Sequence, residues 1–330
     1  MNPSWIKPLS LGKLKLHSNV LYSPLAGCSD LPFRRIASRF KPGLIFCEMV
    51  KMDALVRHDA NTYRILEFER GMHPIGAQLV GSNLPIAGDA AKIIEDLGFD
   101  VVDLNCGCPV DKVTKDCSGS GLLKDPRKIY DILYKMVRAV SIPVTVKIRT
   151  GWDDSSIVAS DIVKIAEEAG AKMISIHGRT REQGYKGPAN WDRIADCKKE
   201  AKEILVIGNG DVFSKEAALA MFEKTNCDGV LVSRGTLGAP WIAEDIYRHL
   251  LSLEPIERNH QFIRKTLEDH FDAIITTQTE RKAITDIRRV GCWYLKETTG
   301  AKYLRNRLNK MESFAELSEI MDSFAWEELC

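Results

Sequence analysis

The sequence predicts a (β/α)8 TIM barrel followed by a C-terminal all-helical bundle, on three observations. Eight short apolar, β-branched runs recur between about residues 20 and 235. Segments of helical periodicity separate them. From about residue 255 only helical patterns continue.

The strand runs, in order, are "NVLYSPLAG" near 20–25, "LIFCEM" at 44–49, "IGAQLVG" at 75–81 and "VVDLNC" at 101–106. They continue with "PVTVKIR" at 143–149, "KMISIHG" at 172–178, "ILVIGNG" at 204–210 and "GVLVSRG" at 229–235. Nearly continuous apolar character suits strands covered on both faces of a parallel sheet. Between them, "DPRKIYDILYKMVRAV" (125–140) places Ile129, Leu133, Met136, Val137 and Val140 on one stripe, with Asp125 as cap and Pro126 as first helical residue. "SSIVASDIVKIAEEAG" (155–170) is predicted to open on its serines and stop at Gly170, and "SKEAALAMFEK" (214–224) to be capped by Ser214. Eight such pairs ending near residue 250 fit a closed barrel; an open doubly wound sheet shares the alternation and is the main rival. The expected division is a barrel domain over 1–250 and a helical domain over 251–330.

Composition limits the class. With 45% hydrophobic and 28% charged residues, the chain has the profile of a globular protein with a substantial core. No run is long and apolar enough to span a bilayer, and the lysine-broken start "MNPSWIKPLSLGKLKLHSNV" does not read as a signal peptide. Nine cysteines, irregularly spaced, argue for the reducing cytoplasm over a disulfide framework. The formal net charge of +1 conceals an asymmetry: residues 281–310 hold nine Lys or Arg against Asp286 and Glu297. A basic segment on an otherwise acidic protein suggests a polyanion-docking surface, or else a solvated helix face.

Barrels carry their chemistry at the C-terminal ends of the strands, and here those ends are polar or glycine-rich. They supply Pro24-Leu25-Ala26-Gly27, Gln78, Asn105 to Pro109, Lys147 and Arg149, His177 to Arg179, Gly208 to Asp211 and Ser233-Arg234-Gly235. The last two, after strands seven and eight, fit a phosphate site, with Arg234 available for a charge-assisted contact. Lys147 ends an apolar strand, where an anionic ligand or a loop carboxylate would relieve its burial. Gln78 suits a heterocycle with an amide edge. His177 reads equally as a structural histidine or a ligand contact.

"LNCGCPVDKVTKDCSGSGLL" (104–123) holds Cys106, Cys108 and Cys117. The spacing, with no fourth Cys or His nearby, does not match a zinc or iron–sulfur motif. Cys106 is expected in the barrel wall and Cys117 in a loop, leaving Cys108, in a Gly-Cys-Pro turn just past the strand, as the candidate reactive thiol. A free thiol, with pKa about 8.5, is mostly protonated at pH 7 and can act as a general acid.

The blocks "SPLAGCSDLPFR", "AQLVGS", "DLNCGCPVDKV", "VTVKIRTGW", "IHGRTREQGYKGPANWD", "IGNGDVFS" and "VSRGTLGAPW" resemble, in order, those of the bacterial tRNA-dihydrouridine synthases. "RRVGCWYLKETTGAKYLRNRLNK" is similar to the B-type subgroup. The resemblance implies an FMN-bound barrel that reduces the C5=C6 bond of a D-loop uridine in tRNA, with NADPH as electron donor. It implies FMN contacts from Pro24, Leu25, Ala26, Gln78, Lys147, His177, Asn209, Gly210, Asp211, Ser233 and Arg234. Cys108 would be the proton donor, and Asn105 and Arg179 would contact the uridine. The basic segment, with Arg288, Arg289, Arg305 and Arg307, would hold the RNA backbone. Ser233 departs from the glycine usual there. No metal, membrane or protein partner is implied. Rival readings are an FMN-dependent reductase of a small pyrimidine or enone, a non-catalytic RNA-binding barrel, and an aldolase using Lys147 as a Schiff base.

Overall fold

The computed structural model describes residues 5–296 and 298–326. Residues 1–4, 297 and 327–330 lie outside the described residues, among them the first four of the N-terminal stretch and one of the two acids in the basic segment. A short antiparallel hairpin comes first, β1 (Leu9–Leu11) and β2 (Leu14–Leu16). Eight parallel strands follow: β3 (Val20–Tyr22), β4 (Leu44–Lys51), β5 (Ile75–Val80), β6 (Val101–Cys106), β7 (Val144–Arg149), β8 (Met173–His177), β9 (Leu205–Asn209) and β10 (Gly229–Val232). Each pairs with the next, and β10 pairs back to β3 through Val230 and Val20. That closure makes the sheet a barrel and removes the doubly wound alternative.

The hairpin plugs the end of the barrel opposite the polar strand termini. Leu9, Leu11 and Leu16 pack on Leu44, Val101 and Met173, the first residues of β4, β6 and β8, and on Phe46 and Ile207. Each leucine so buried contributes roughly 1.5–3 kcal/mol.

Helices cover the outside, and their caps follow local chemistry. Pro126–Ala139 starts where the Asp125 carboxylate accepts the Lys128 N–H at 3.2 Å, and it buries Ile129, Ile132, Leu133 and Met136. Lys215–Thr225 is capped by Ser214, which accepts from Ala217 N–H at 3.2 Å. The helix expected to open on Ser155 begins instead at Ala159. Asp153 Oδ1 takes both serine hydroxyls, Ser155 at 2.7 Å and Ser156 at 2.8 Å, and holds them in a turn ahead of the helix.

Beyond Ile242–Leu250 come the helices His260–Thr277, Glu280–Tyr294, Lys302–Lys310 and Leu317–Asp322. They bury their own apolar cluster, including Leu267, Phe271, Ile287, Tyr294, Leu304 and Leu308. Trp241 belongs to that cluster, so the helical layer reaches back into the barrel chain before residue 250. Trp241 packs edge-on against Phe40 and Phe262, with ring centroids 6.1 and 5.2 Å away. Arg258 lies over Phe262 and pairs with Glu244 at 2.6 Å and Asp245 at 2.9 Å. No helix among the described residues is long and apolar enough to cross a membrane.

Candidate active site

Strand register assembles the site. Gln78, Asp103 and Thr145 are direct neighbours across β5, β6 and β7, and Asn105 pairs with Lys147 two residues further along. Arg149, His177 and Asn209 form the next row across β7, β8 and β9. Because side chains two apart share a face, Asp103 and Asn105 both point inward, as do Lys147 and Arg149.

These rows surround a cavity of about 370 Å³ at the C-terminal end of the barrel. Gln78, Asn105, Lys147, His177 and Asn209 line it from the strands. Pro24, Leu25, Ala26, Cys108, Gly210, Asp211, Ser233 and Arg234 line it from the following loops. Gly210 has φ +115°, and a Cβ there would lie 2.9 Å from His177 Cδ2, so only glycine lets this turn close over the histidine.

The turn carrying Cys108 is held by three residues. Asn105 Oδ1 accepts from Gly107 N–H at 3.0 Å and Cys108 N–H at 2.9 Å. Arg149 Nε donates to Gly107 O at 2.9 Å. Ser120 gives its hydroxyl (2.8 Å) and its N–H (3.1 Å) to Cys108 O. Gly119, with φ +57°, lets the "GSG" segment approach: a Cβ there would sit 2.9 Å from Cys108 O and 2.8 Å from Val113 Cγ1. The 104–123 stretch is therefore one structural unit built around Cys108. Cys106 is buried in the wall and Cys117 is exposed. No group of three or more His, Cys, Asp or Glu among the described residues is arranged to hold a metal ion.

The cavity is rich in cations. Burial pulls the Lys147 ammonium down to about 8, with Arg149 adding repulsion and Asp103 opposing it. Burial also pushes the Arg149 guanidinium down to about 10. His177 is driven well below its ordinary value, by burial first and then by Lys147, Arg149, Arg179 and Arg234. It is therefore neutral at pH 7. Its Nε2 lies 3.2 Å from Arg179 Nη1, a donor only, which places the imidazole proton on Nδ1.

Arg179 does not line the cavity. Its guanidinium forks onto Asp211 at 2.9 and 2.7 Å and also donates to Gly187 O at 3.1 Å. Burial alone would raise the Asp211 carboxyl, but hydrogen bonds from Arg179 and Ala189 N–H, together with the charges of Arg179 and Arg234, hold it below the usual range. The Arg234 guanidinium lies 4.4 Å from the Tyr185 ring and 5.1 Å from that of Phe213, and both exposed rings border the cavity. Asn209 Nδ2 donates to Ser233 Oγ at 3.0 Å, leaving the serine its own O–H to donate.

The four arginines assigned to the RNA backbone, Arg288, Arg289, Arg305 and Arg307, fare differently. Arg289 reaches the barrel mouth: a Cβ at Gly27 would lie 3.9 Å from its Nη1. It also pairs with Asp286 at 2.8 Å and lies over Trp293. Arg288 donates to Met311 O at 2.8 Å, closing the helix Lys302–Lys310, and Arg307 pairs with Glu319 at 2.9 Å. Arg305 is half-buried near Cys292. Arg281, Lys282, Lys296, Lys302 and Lys310 are the exposed cations of this segment.

Sequence reasoning missed Asp103, Tyr185 and Phe213. Asp103 left a readable signal, an acid two residues before Asn105 in an otherwise apolar strand. The rings did not, because loop aromatics carry no period.

Comparison with known proteins bears on this geometry. The pattern of the dihydrouridine synthase (Dus) family matches residues 21–328. The probable tRNA-dihydrouridine synthase 1 of Synechocystis sp. is 38% identical over 100% of this chain and 93% of its own. The tRNA-dihydrouridine synthase B of Pseudomonas syringae pv. tomato is 34% identical over 92% of this chain and 90% of its own. Among solved structures, morphinone reductase superimposes with a TM-score of 0.55 at 14% identity, over 80% of this chain and 93% of that one. Histamine dehydrogenase from Rhizobium sp. 4-9 does so with 0.58 at 13% identity, over 82% and 51%. At such identities these two show the barrel fold alone.

Proposed function

Because the chain belongs to the dihydrouridine synthase family, we propose that it reduces the C5=C6 bond of a D-loop uridine in tRNA to 5,6-dihydrouridine, with FMN in the barrel cavity, NADPH as electron source and Cys108 as proton donor. The observation that carries this reading is the Cys108 turn, fixed by Asn105, Arg149 and Ser120 at the edge of a cationic cavity.

The residues present fit FMN. Asn209, Gly210, Asp211, Ser233 and Arg234 would hold the phosphate, to which Arg234 and the Ser233 hydroxyl would offer donors. Lys147 and Gln78, which line the cavity, would border the ring, and Pro24, Leu25 and Ala26 would form its apolar wall. When bound and reduced, FMN supplies the hydride that forms the new C6–H bond. The Cys108 thiol gives its proton to C5 and is left as thiolate. Lys147 and Arg149 lie close enough for their charges to act on that sulfur and stabilise it until solvent restores the proton.

A uridine inside folded tRNA must leave its stack to reach this cavity. Asn105 borders it there. Arg179 acts through Asp211, holding the loop that shapes the phosphate end. Residues 1–250 are the catalytic barrel in this reading. Residues 251–330 are a tRNA-binding domain whose exposed cations contact the backbone and whose Arg289 stands at the mouth.

The test is nucleoside mass spectrometry after incubating the protein, FMN and NADPH with tRNA from a strain lacking such synthases. Dihydrouridine is the expected product. A flavin-loaded protein that oxidises NADPH yet leaves every tRNA uridine intact would refute the tRNA assignment and favour a small-molecule reductase.

A further inference from the structure

Two amides, Asn105 and Gln78, link the buried Asp103 carboxylate to the Cys108 turn, and each has an orientation to choose. Asn105 holds the turn only if its carbonyl oxygen, and not its NH2, faces Gly107 N–H and Cys108 N–H. A flipped Asn105 would set donor against donor. Its NH2 group meets Gln78 Oε1 at 2.7 Å, so the orientation of Gln78 reinforces that of Asn105. Gln78 Nε2 in turn donates to Asp103 Oδ2 at 2.7 Å.

Asp103 ends the sequence of choices. An ionised carboxylate has no donor, so it dictates which end of Gln78 faces it. Its other oxygen accepts from the Thr145 hydroxyl at 2.6 Å, and the group is buried. Burial raises its pKa to about 6, still leaving it largely ionised at pH 7.

We propose that Asp103 is a positioning residue for the reaction: by fixing the amide orientation of Gln78 and, through it, Asn105, it holds the Cys108 turn in the geometry for proton delivery. The proposal rests on the reading of Cys108 as proton donor. Its first test reads the turn itself, so the two can fail separately.

The variants are Asp103→Leu, Asp103→Asn and Asn105→Ala, with Asp103→Leu/Asn105→Ala as the double. Asp103→Leu has no acceptor for Gln78. Asp103→Asn keeps one, because its carbonyl can face Gln78 while its NH2 donates to the Thr145 hydroxyl. Amide hydrogen exchange is measured by mass spectrometry on peptides spanning Gly107 and Cys108 in the flavin-loaded proteins. Melting temperature and flavin absorbance report folding and loading. Asp103→Leu is expected to speed exchange there at least about 10-fold, while Asp103→Asn stays near wild type. Adding Asp103→Leu to Asn105→Ala is expected to change nothing further.

In single turnover with tRNA, Asp103→Leu is expected to lose about 10- to 100-fold in the rate of flavin oxidation, with the Kd for tRNA unchanged and Asp103→Asn substantially restored. Three results overturn the proposal. Asp103→Leu retains wild-type protection, or Asp103→Asn behaves like Asp103→Leu, which would make charge and not polarity the determinant. In the third, the double variant shows additive effects, and Asp103 does not act through Asn105. If exchange behaves as expected but Cys108→Ala turns over normally, the turn is explained and the proton-donor reading falls.

Discussion

Replacing Lys147 by methionine should stabilise the flavin-free protein while crippling flavin binding. Lys147 lies on β7 with its ammonium in the cavity wall, and burial outweighs the attraction of Asp103, so its pKa falls from 10.5 to about 8. That difference amounts to about 3 kcal/mol of native-state penalty for the charged form. That net penalty already includes the attraction of Asp103, so Lys147→Met is expected to gain up to about 3 kcal/mol at pH 7. The sign of the pH dependence follows. Between about 8 and 10.5 the unfolded chain holds a proton that the native protein has released, so wild-type stability rises with pH across that window. The advantage of the variant is complete below about 8 and vanishes towards 10.5. Urea unfolding of flavin-free wild type and variant at pH 7 and at pH 10 reads both effects, and flavin titration is expected to show at least about 10-fold weaker binding. A variant less stable than wild type at pH 7, or a difference that does not shrink at high pH, would refute the reasoning.

Other consequences are independent of this one. Gly119→Ala forces a Cβ against Cys108 O and Val113 at a positive φ. It should cost about 1–3 kcal/mol of stability and slow turnover, both read on one preparation. Lys302→Gln with Lys310→Gln removes two exposed cations and should reduce the salt slope of tRNA binding by about 2 at unchanged Tm. Arg288→Gln, by contrast, removes the donor to Met311 O and should lower Tm, a loss that thermal melts would show. His177, kept neutral by burial and the surrounding cations, should show no titration between pH 5 and 8 in nitrogen-15 histidine NMR.

The barrel was legible because parallel strands buried on both faces leave long apolar runs, and all eight appear within a few residues of their expected bounds. The β1–β2 hairpin was not read, although Leu9, Leu11, Leu14 and Leu16 alternate about a Gly12-Lys13 turn. Three-residue strands fall below the length at which period two is evident. Capping was legible at Asp125 and Ser214, and misread at Ser155, which Asp153 holds in a turn ahead of the helix. The cavity lining could be anticipated from the strand ends, because position in a barrel strand fixes which face a residue joins. What Arg179, Arg288 and Arg307 bind could not. Their partners Asp211, Met311 and Glu319 lie 12 to 32 residues away along the chain, and charge counting does not reveal which cations the fold itself consumes.

The central claim is that Cys108 delivers the proton. Its most direct test is single turnover of pre-reduced, flavin-loaded wild type and Cys108→Ala with unmodified tRNA, following flavin oxidation at saturating RNA. The account predicts a loss of about 10²- to 10⁴-fold for the variant, with equal flavin content and tRNA affinity. Equal rates for the two proteins would contradict it.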